Sequence, residues 1–120
     1  MGHGVEGRDH ASARLDAAAL SHVARTLQAL ATPSRLRILT ELRERPRPVT
    51  ELADAVEMEQ SAVSQQLRVL RNLGLVVGVR AGRSIVYRLY DNHVAELLDQ
   101  AIYHSEHLRL GFSDQSETAM

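Results

Sequence analysis

The alternation of apolar and polar positions divides the chain into short helical stretches with one strand pair towards the end. Leu15, Ala18, Val23, Leu27 and Leu30 recur at the spacing of an amphipathic helix. Pro33 ends that stretch, and Ser34 is placed to cap a second helix carrying Leu36, Leu39 and Leu42. Arg45-Pro-Arg-Pro48 reads as a linker, because its prolines cannot donate helical hydrogen bonds. Thr50 is placed to cap a short helix with Leu52, Ala53 and Val56, and a turn at Glu57–Gln60 follows. Ser61 opens the next helix, with Val63, Leu67 and Leu70 on one face and Gly74 as its stop. Leu75–Arg80 and Ser84–Tyr90 are rich in Val, Ile and Tyr and form a hairpin about Ala81-Gly82-Arg83. Asp91 caps a last helix bearing Val94, Leu98, Ala101, Ile102 and Leu108. Residues 15–110 are thus expected to form one domain, with flexible tails at 1–14 and 111–120.

The expected fold class is mainly α with a small β-hairpin. Two short helices joined by a tight turn and followed by a hairpin make the plan of a winged helix-turn-helix. At 120 residues and 44% hydrophobic content, the chain is long enough for one modest core. Without cysteine it has neither disulfides nor thiolate metal sites. Its longest apolar run, Leu73–Val79, is far short of the roughly 20 residues of a membrane helix. The first ten residues hold no apolar signal core, so a cytoplasmic location with no membrane partner is expected.

The net charge of −1 hides a segregation. From Gln60 to Tyr90 there are five arginines (Arg68, Arg71, Arg80, Arg83 and Arg88) and no acid, whereas Asp91 to Met120 holds six acids and one arginine. Phosphate contacts are local, so this distribution matters more than the sum. The helix after the tight turn would present Gln60, Ser61, Ser64, Gln65 and Arg68 outwards, side chains that bond phosphates and base edges. Arg80 and Arg83 would flank the groove from the hairpin. An ordinary solvated helix face is the competing reading of any one of these features. Their combination favours DNA.

The segments Ala31-Thr-Pro-Ser-Arg-Leu-Arg-Ile-Leu39, Val49-Thr-Glu-Leu-Ala53, Gln60-Ser-Ala-Val-Ser-Gln-Gln-Leu-Arg-Val-Leu70 and Leu73-Gly-Leu-Val76, followed by Gly82-Arg83 and Tyr87, resemble the ArsR–SmtB family of metal-responsive repressors. The resemblance implies a homodimeric winged-helix repressor, dimerising through its terminal helices, that leaves operator DNA when metal binds. It also implies a metal-efflux gene as the target. Two departures stand out. Gln66 occupies a place where family members often carry His, and Ala53-Asp54-Ala55 replaces the Cys-x-Cys metal box.

Metal ligands are therefore sought on the last helix, which carries His93, His104 and His107 with Asp91 at its cap. At about 100° per residue, His104 falls about 20° from His93 and His107 about 40° to the other side, so the three share one stripe. Along a single helix, however, Asp91 and His104 stand about 20 Å apart. An antiparallel pair of such helices would bring the Asp91/His93 end of one protomer to the His104/His107 end of the other, with two sites per dimer. The spacing Asp-x-His-x10-His-x2-His also resembles the family's last-helix sensing site.

These four ligands suffice for tetrahedral Zn²⁺. Removal of Met1 would expose a Gly2 amine beside His3, completing six nitrogen and oxygen ligands suited to Ni²⁺ or Co²⁺. The segments Met1-Gly-His-Gly-Val-Glu-Gly-Arg8 and Ala101-Ile-Tyr-His-Ser-Glu-His-Leu108 resemble nickel- and cobalt-sensing members of the family, which favours those metals over zinc. His10 and His22 read as incidental. A metallohydrolase would need an open coordination position and a general base, for which only Glu106 is spare. Neither an enzyme nor a small-molecule substrate is expected. A metal-storage dimer and a metal-blind repressor are the remaining alternatives.

Overall fold

Among the described residues of the computed structural model, the first helix begins where a carboxylate can receive its free amides. Asp16 accepts from the Ala19 amide at 2.8 Å and opens α1 (Ala17–Ala29). The structure describes residues 16–119, with side chains as far as residue 111. There follow α2 (Pro33–Glu44), β1 (Arg47–Pro48), α3 (Val49–Val56), α4 (Gln60–Asn72), β2 (Val76–Ala81), β3 (Ser84–Leu89) and α5 (Asn92–Ala119).

The core lies where α2, α3 and α4 meet the foot of the sheet and the start of α5. Ile38, Leu39 and Leu42 come from α2, Leu52, Ala53 and Val56 from α3, and Val63, Leu67 and Leu70 from α4. Val76, Leu89, Val94 and Leu98 close it from the sheet and α5. Burying each such large aliphatic side chain stabilises the fold by about 1.5–3 kcal/mol relative to exposure. With so few aromatics, the interior is filled by branched aliphatic chains.

The hairpin is flanked by a third short strand, giving an antiparallel sheet of order β1-β3-β2. Arg47 and Pro48, expected to be linker, pair with Tyr87 and Val86. A two-residue strand has too few positions to show an alternating pattern, and Pro is tolerated because it sits on an edge. Arg47 also bonds Glu41 at 2.7 Å, which draws the segment onto α2.

Several helix starts differ from the expected ones. Pro33 is the first residue of α2, with Thr32 as N-cap, instead of marking the end of a helix. This is the position where a missing amide and a preset φ cost nothing. Likewise α3 starts at Val49 after Pro48, and α4 starts at Gln60 after Glu59, so Thr50 and Ser61 lie inside first turns. At the far end, α5 continues through Gly111 to Ala119, across the stretch that the polar pattern sets apart as a tail. One interior glycine costs a helix only about 1 kcal/mol, which does not oblige it to end. The tail at 1–14 lies outside the described residues.

Truncation inside this core should be severe. Leu67, at 1% exposure, replaced by Ala should cost about 2–5 kcal/mol in urea denaturation. Gln65→Ala, on the outer face of the same helix, should stay within about 0.5 kcal/mol of the parent.

Candidate functional site

The turn between α3 and α4 is made by Glu57, whose backbone is left-handed with φ 58°. Its amide, and that of Met58, bond back to the last carbonyls of α3, Asp54 O at 3.3 Å and Ala53 O at 3.0 Å. This closes the first helix and redirects the chain into the second. Val63, Leu67 and Leu70 then pin α4 to the core. The opposite face is left to solvent, and Gln60, Ser61, Ser64, Gln65 and Arg68 all lie exposed on it. No acid lies on α4.

The hairpin stands beside this helix. Its register, Val76↔Leu89 to Ala81↔Ser84, leaves Gly82 and Arg83 as a two-residue loop. Gly82 takes φ 66° and Arg83 does not enter the positive-φ region, the pattern of a type II′ turn. Arg83 is therefore held at the tip. Arg80 is exposed on the adjoining strand, its guanidinium reaching the Gly82 carbonyl at 3.5 Å. Gly78 lies opposite Tyr87, and a Cβ there would meet Cγ2 of Ile85 at 2.9 Å and the Tyr87 ring at 3.0 Å. The missing side chain lets that ring lie across the sheet.

The four metal-ligand candidates of α5 are all exposed and fall into two pairs. Asp91 caps the helix, its Oδ1 accepting from the amides of His93 at 3.0 Å and Val94 at 3.3 Å. Its Oδ2 lies 3.3 Å from Nδ1 of His93, so carboxylate and imidazole already share one small volume. Partial desolvation pushes the Asp91 carboxyl up. The hydrogen bonds from the His93 ring and from the Val94 and His93 amides together outweigh it, so the group sits below the usual carboxylate range. His104 and His107 form the second pair, one helical turn apart. Among the described residues, no three His, Asp or Glu side chains gather into a metal cluster within one protomer. Each pair supplies borderline nitrogen or hard oxygen donors of a kind that suits a divalent cation. Gly2 and His3 lie outside the described residues.

Tyr103 stacks on His107 with ring centroids 6.0 Å apart and planes at 20°. Their i, i+4 spacing is the sequence signal that could have revealed it. A second contact has no such signal. Gln66, half-buried on α4, accepts from Nε of Arg35 at 2.8 Å, so it is engaged with α2.

Comparison with known proteins places this geometry in context. The family described as "Bacterial regulatory protein, arsR family" matches residues 32–77. The HTH-type transcriptional regulator NmtR of Mycobacterium tuberculosis is 74% identical over 119 residues, 99% of each chain. The solution structure of apo-NmtR superimposes with a TM-score of 0.68 at 76% identity, covering 88% of this chain and 89% of that one. A domain from Mycobacterium bovis, described as a homodimeric winged helix-turn-helix DNA-binding domain, gives a TM-score of 0.73 at 37% identity, covering 79% and 91%. No helix among the described residues is long and apolar enough to cross a membrane.

Replacing Asp91 by Ala should remove the acceptor for the His93 and Val94 amides and speed their hydrogen exchange relative to Leu98. The folded carboxyl titrates below its ordinary value of about 3.9, so the cap is fully present above that pH. The exchange difference between parent and variant should then fade as the pH falls through the lowered folded value.

Proposed function

The chain belongs to the arsR family of bacterial regulatory proteins, and on that footing we propose that it is a metal-responsive repressor, bound to operator DNA as a metal-free homodimer and released by Ni²⁺ or Co²⁺. Its relatives are transcriptional regulators, and it is a DNA-binding regulator, not an enzyme. The observation that carries the metal reading is the layout of α5. Asp91 and His93 meet at its start, His104 and His107 lie near its middle, and the apolar Leu108 and Leu110 that follow are exposed. A helix of this kind calls for an antiparallel copy of itself. Such a pairing joins the half-sites and covers Leu108 and Leu110, which flank the histidine stripe. A metal-efflux gene as target follows the family resemblance.

On DNA, Ser61, Ser64 and Gln65 read base edges from α4, with Gln60 and Arg68 beside them, while Arg80 and Arg83 take phosphates from the wing. Gln65→Ala should lower discrimination by about 1–3 kcal/mol at one position per half-site. Arg83→Ala should weaken specific and random DNA alike and reduce the salt slope by about one phosphate. Identical behaviour of the two variants on both DNAs would refute this division of roles.

Zinc is the second reading, because Asp91, His93, His104 and His107 alone complete a tetrahedral shell. Nickel or cobalt would recruit the Gly2 amine and His3 as fifth and sixth ligands. Titration of operator affinity with each metal is the test. His104→Gln should abolish metal-driven release while leaving metal-free DNA affinity near that of the parent. Deleting Gly2–Gly4 should weaken the Ni²⁺ response much more than Zn²⁺ binding, and should raise the visible absorption of the Co²⁺ form as its coordination number falls. Unchanged Ni²⁺ affinity and an unchanged Co²⁺ spectrum after deletion would favour zinc.

A further inference from the structure

The core holds α5 through Val94 and Leu98, and from Asp99 to Leu110 every side chain is exposed. At that boundary Asp99 meets Arg43 of α2 in a two-pronged contact, Nε to Oδ1 at 3.0 Å and Nη2 to Oδ2 at 2.9 Å. It is the one side-chain hydrogen-bonded contact from α5 to another helix among the described residues. The contact holds the Asp99 carboxyl below and the Arg43 guanidinium above their ordinary values, through the hydrogen bond and then their mutual attraction, against some desolvation. Both side chains are about half exposed, and such pairs add little to stability. What a fork-to-fork pair does supply is direction, since two parallel bonds resist rotation of one helix against the other. The pair lies beside an open cleft of about 370 Å³ lined by Thr40, Arg43, Glu44, Asp99 and Ile102, so apolar packing does not fill the space between α5 and α2 there.

The other end of α2 carries a matching contact. Arg35 donates to Gln66 of the recognition helix at 2.8 Å, about 12 Å along α2 from Arg43. Between the two arginines, Ile38, Leu39 and Leu42 fasten α2 into the core. We infer that α2 is a strut between the last helix and the recognition helix, with Arg43–Asp99 and Arg35–Gln66 as its two brackets. Arg43, Asp99, Arg35 and Gln66 are then positioning residues, whose part in metal response rests on the function proposed above.

The test has a metal-free arm and a metal arm, both on the full chain. In metal-free protein, Asp99→Asn should shift backbone amide resonances not only near Arg43 but also at Ser64–Leu67. In an Arg35→Met background the same change should leave Ser64–Leu67 unmoved. Shifts confined to α5 and the neighbourhood of Arg43 would overturn the strut. With Ni²⁺ and a duplex from upstream of the chain's own gene, Asp99→Asn should keep metal-free DNA affinity within about twofold while losing at least about fivefold of the metal-induced weakening. The exchanged pair Arg43→Asp with Asp99→Arg should restore it. A full metal effect in Asp99→Asn would also overturn the strut. A parent protein that ignores Ni²⁺ would refute nickel sensing instead, and the amide shifts would still decide the strut.

Discussion

The core takes up α5 only as far as Leu98, while the helix runs on to Ala119. Helices are marginal in water without an apolar face packed on something, and Tyr103, Leu108 and Leu110 remain more than half exposed within the protomer. The first helix is in the same position, with Leu20, Val23 and Leu27 exposed. Both terminal helices therefore carry apolar surface that the central domain does not use. Exposed apolar surface of this kind marks an interaction site, and a second copy of the chain meets the need of both helices at once. Under the proposed function the metal half-sites lie on and at the start of that same helix, so dimerisation and metal binding are one geometric event.

The DNA-facing half answers to a different constraint. A recognition helix must be rigid from behind and chemically open in front. Val63, Leu67 and Leu70 are fully or almost fully buried, which fixes the orientation of the exposed Gln60–Arg68 face. Charge then does what the overall sum does not suggest. The stretch from Gln60 to Tyr90 carries five arginines and no acid, while the acids lie to either side of it, nine before and six after. The α4 and hairpin segment itself thus carries a formal charge of +5 on a chain whose net charge is −1, with Glu57 and Glu59 in the turn before it.

What could be read from sequence followed the range of the interactions involved. Helical periodicity is local, so most of the apolar sets of α2, α3 and α4 and the presence of the hairpin were legible, but not its register: Ala81, read as part of the turn, pairs with Ser84 and leaves a two-residue loop. Cap positions were less so, because Pro33 competes with Thr32 and Ser34 for the start of α2, and Pro at the first helical position settles it. β1 was missed because its pairing partners, Tyr87 and Val86, are distant in sequence and a two-residue strand has no period. The Asp91–His93 and His104–His107 pairs could be seen from spacing. Arg43–Asp99 and Arg35–Gln66, separated by 56 and 31 residues, could not. No pattern within one helix identifies a partner on another.

These long-range brackets bear on how a metal could act on DNA at a distance. A twofold dimer presents its recognition helices to successive major grooves about 34 Å apart, and that spacing tolerates little change. Metal held between two copies of α5 would fix the angle between the protomers, but the angle matters to DNA only if each recognition helix moves as one body with its own α5. Packing alone links them loosely, since α5 contributes just Val94 and Leu98 to the buried core. Under the inferred strut, polar brackets towards both ends of α2, held in the core by Ile38, Leu39 and Leu42, would stiffen that linkage at small cost in stability. The thermodynamic consequence is reciprocal: whatever factor metal removes from DNA affinity, DNA must remove from metal affinity. A stiffer linkage between α5 and α4 enlarges both effects together.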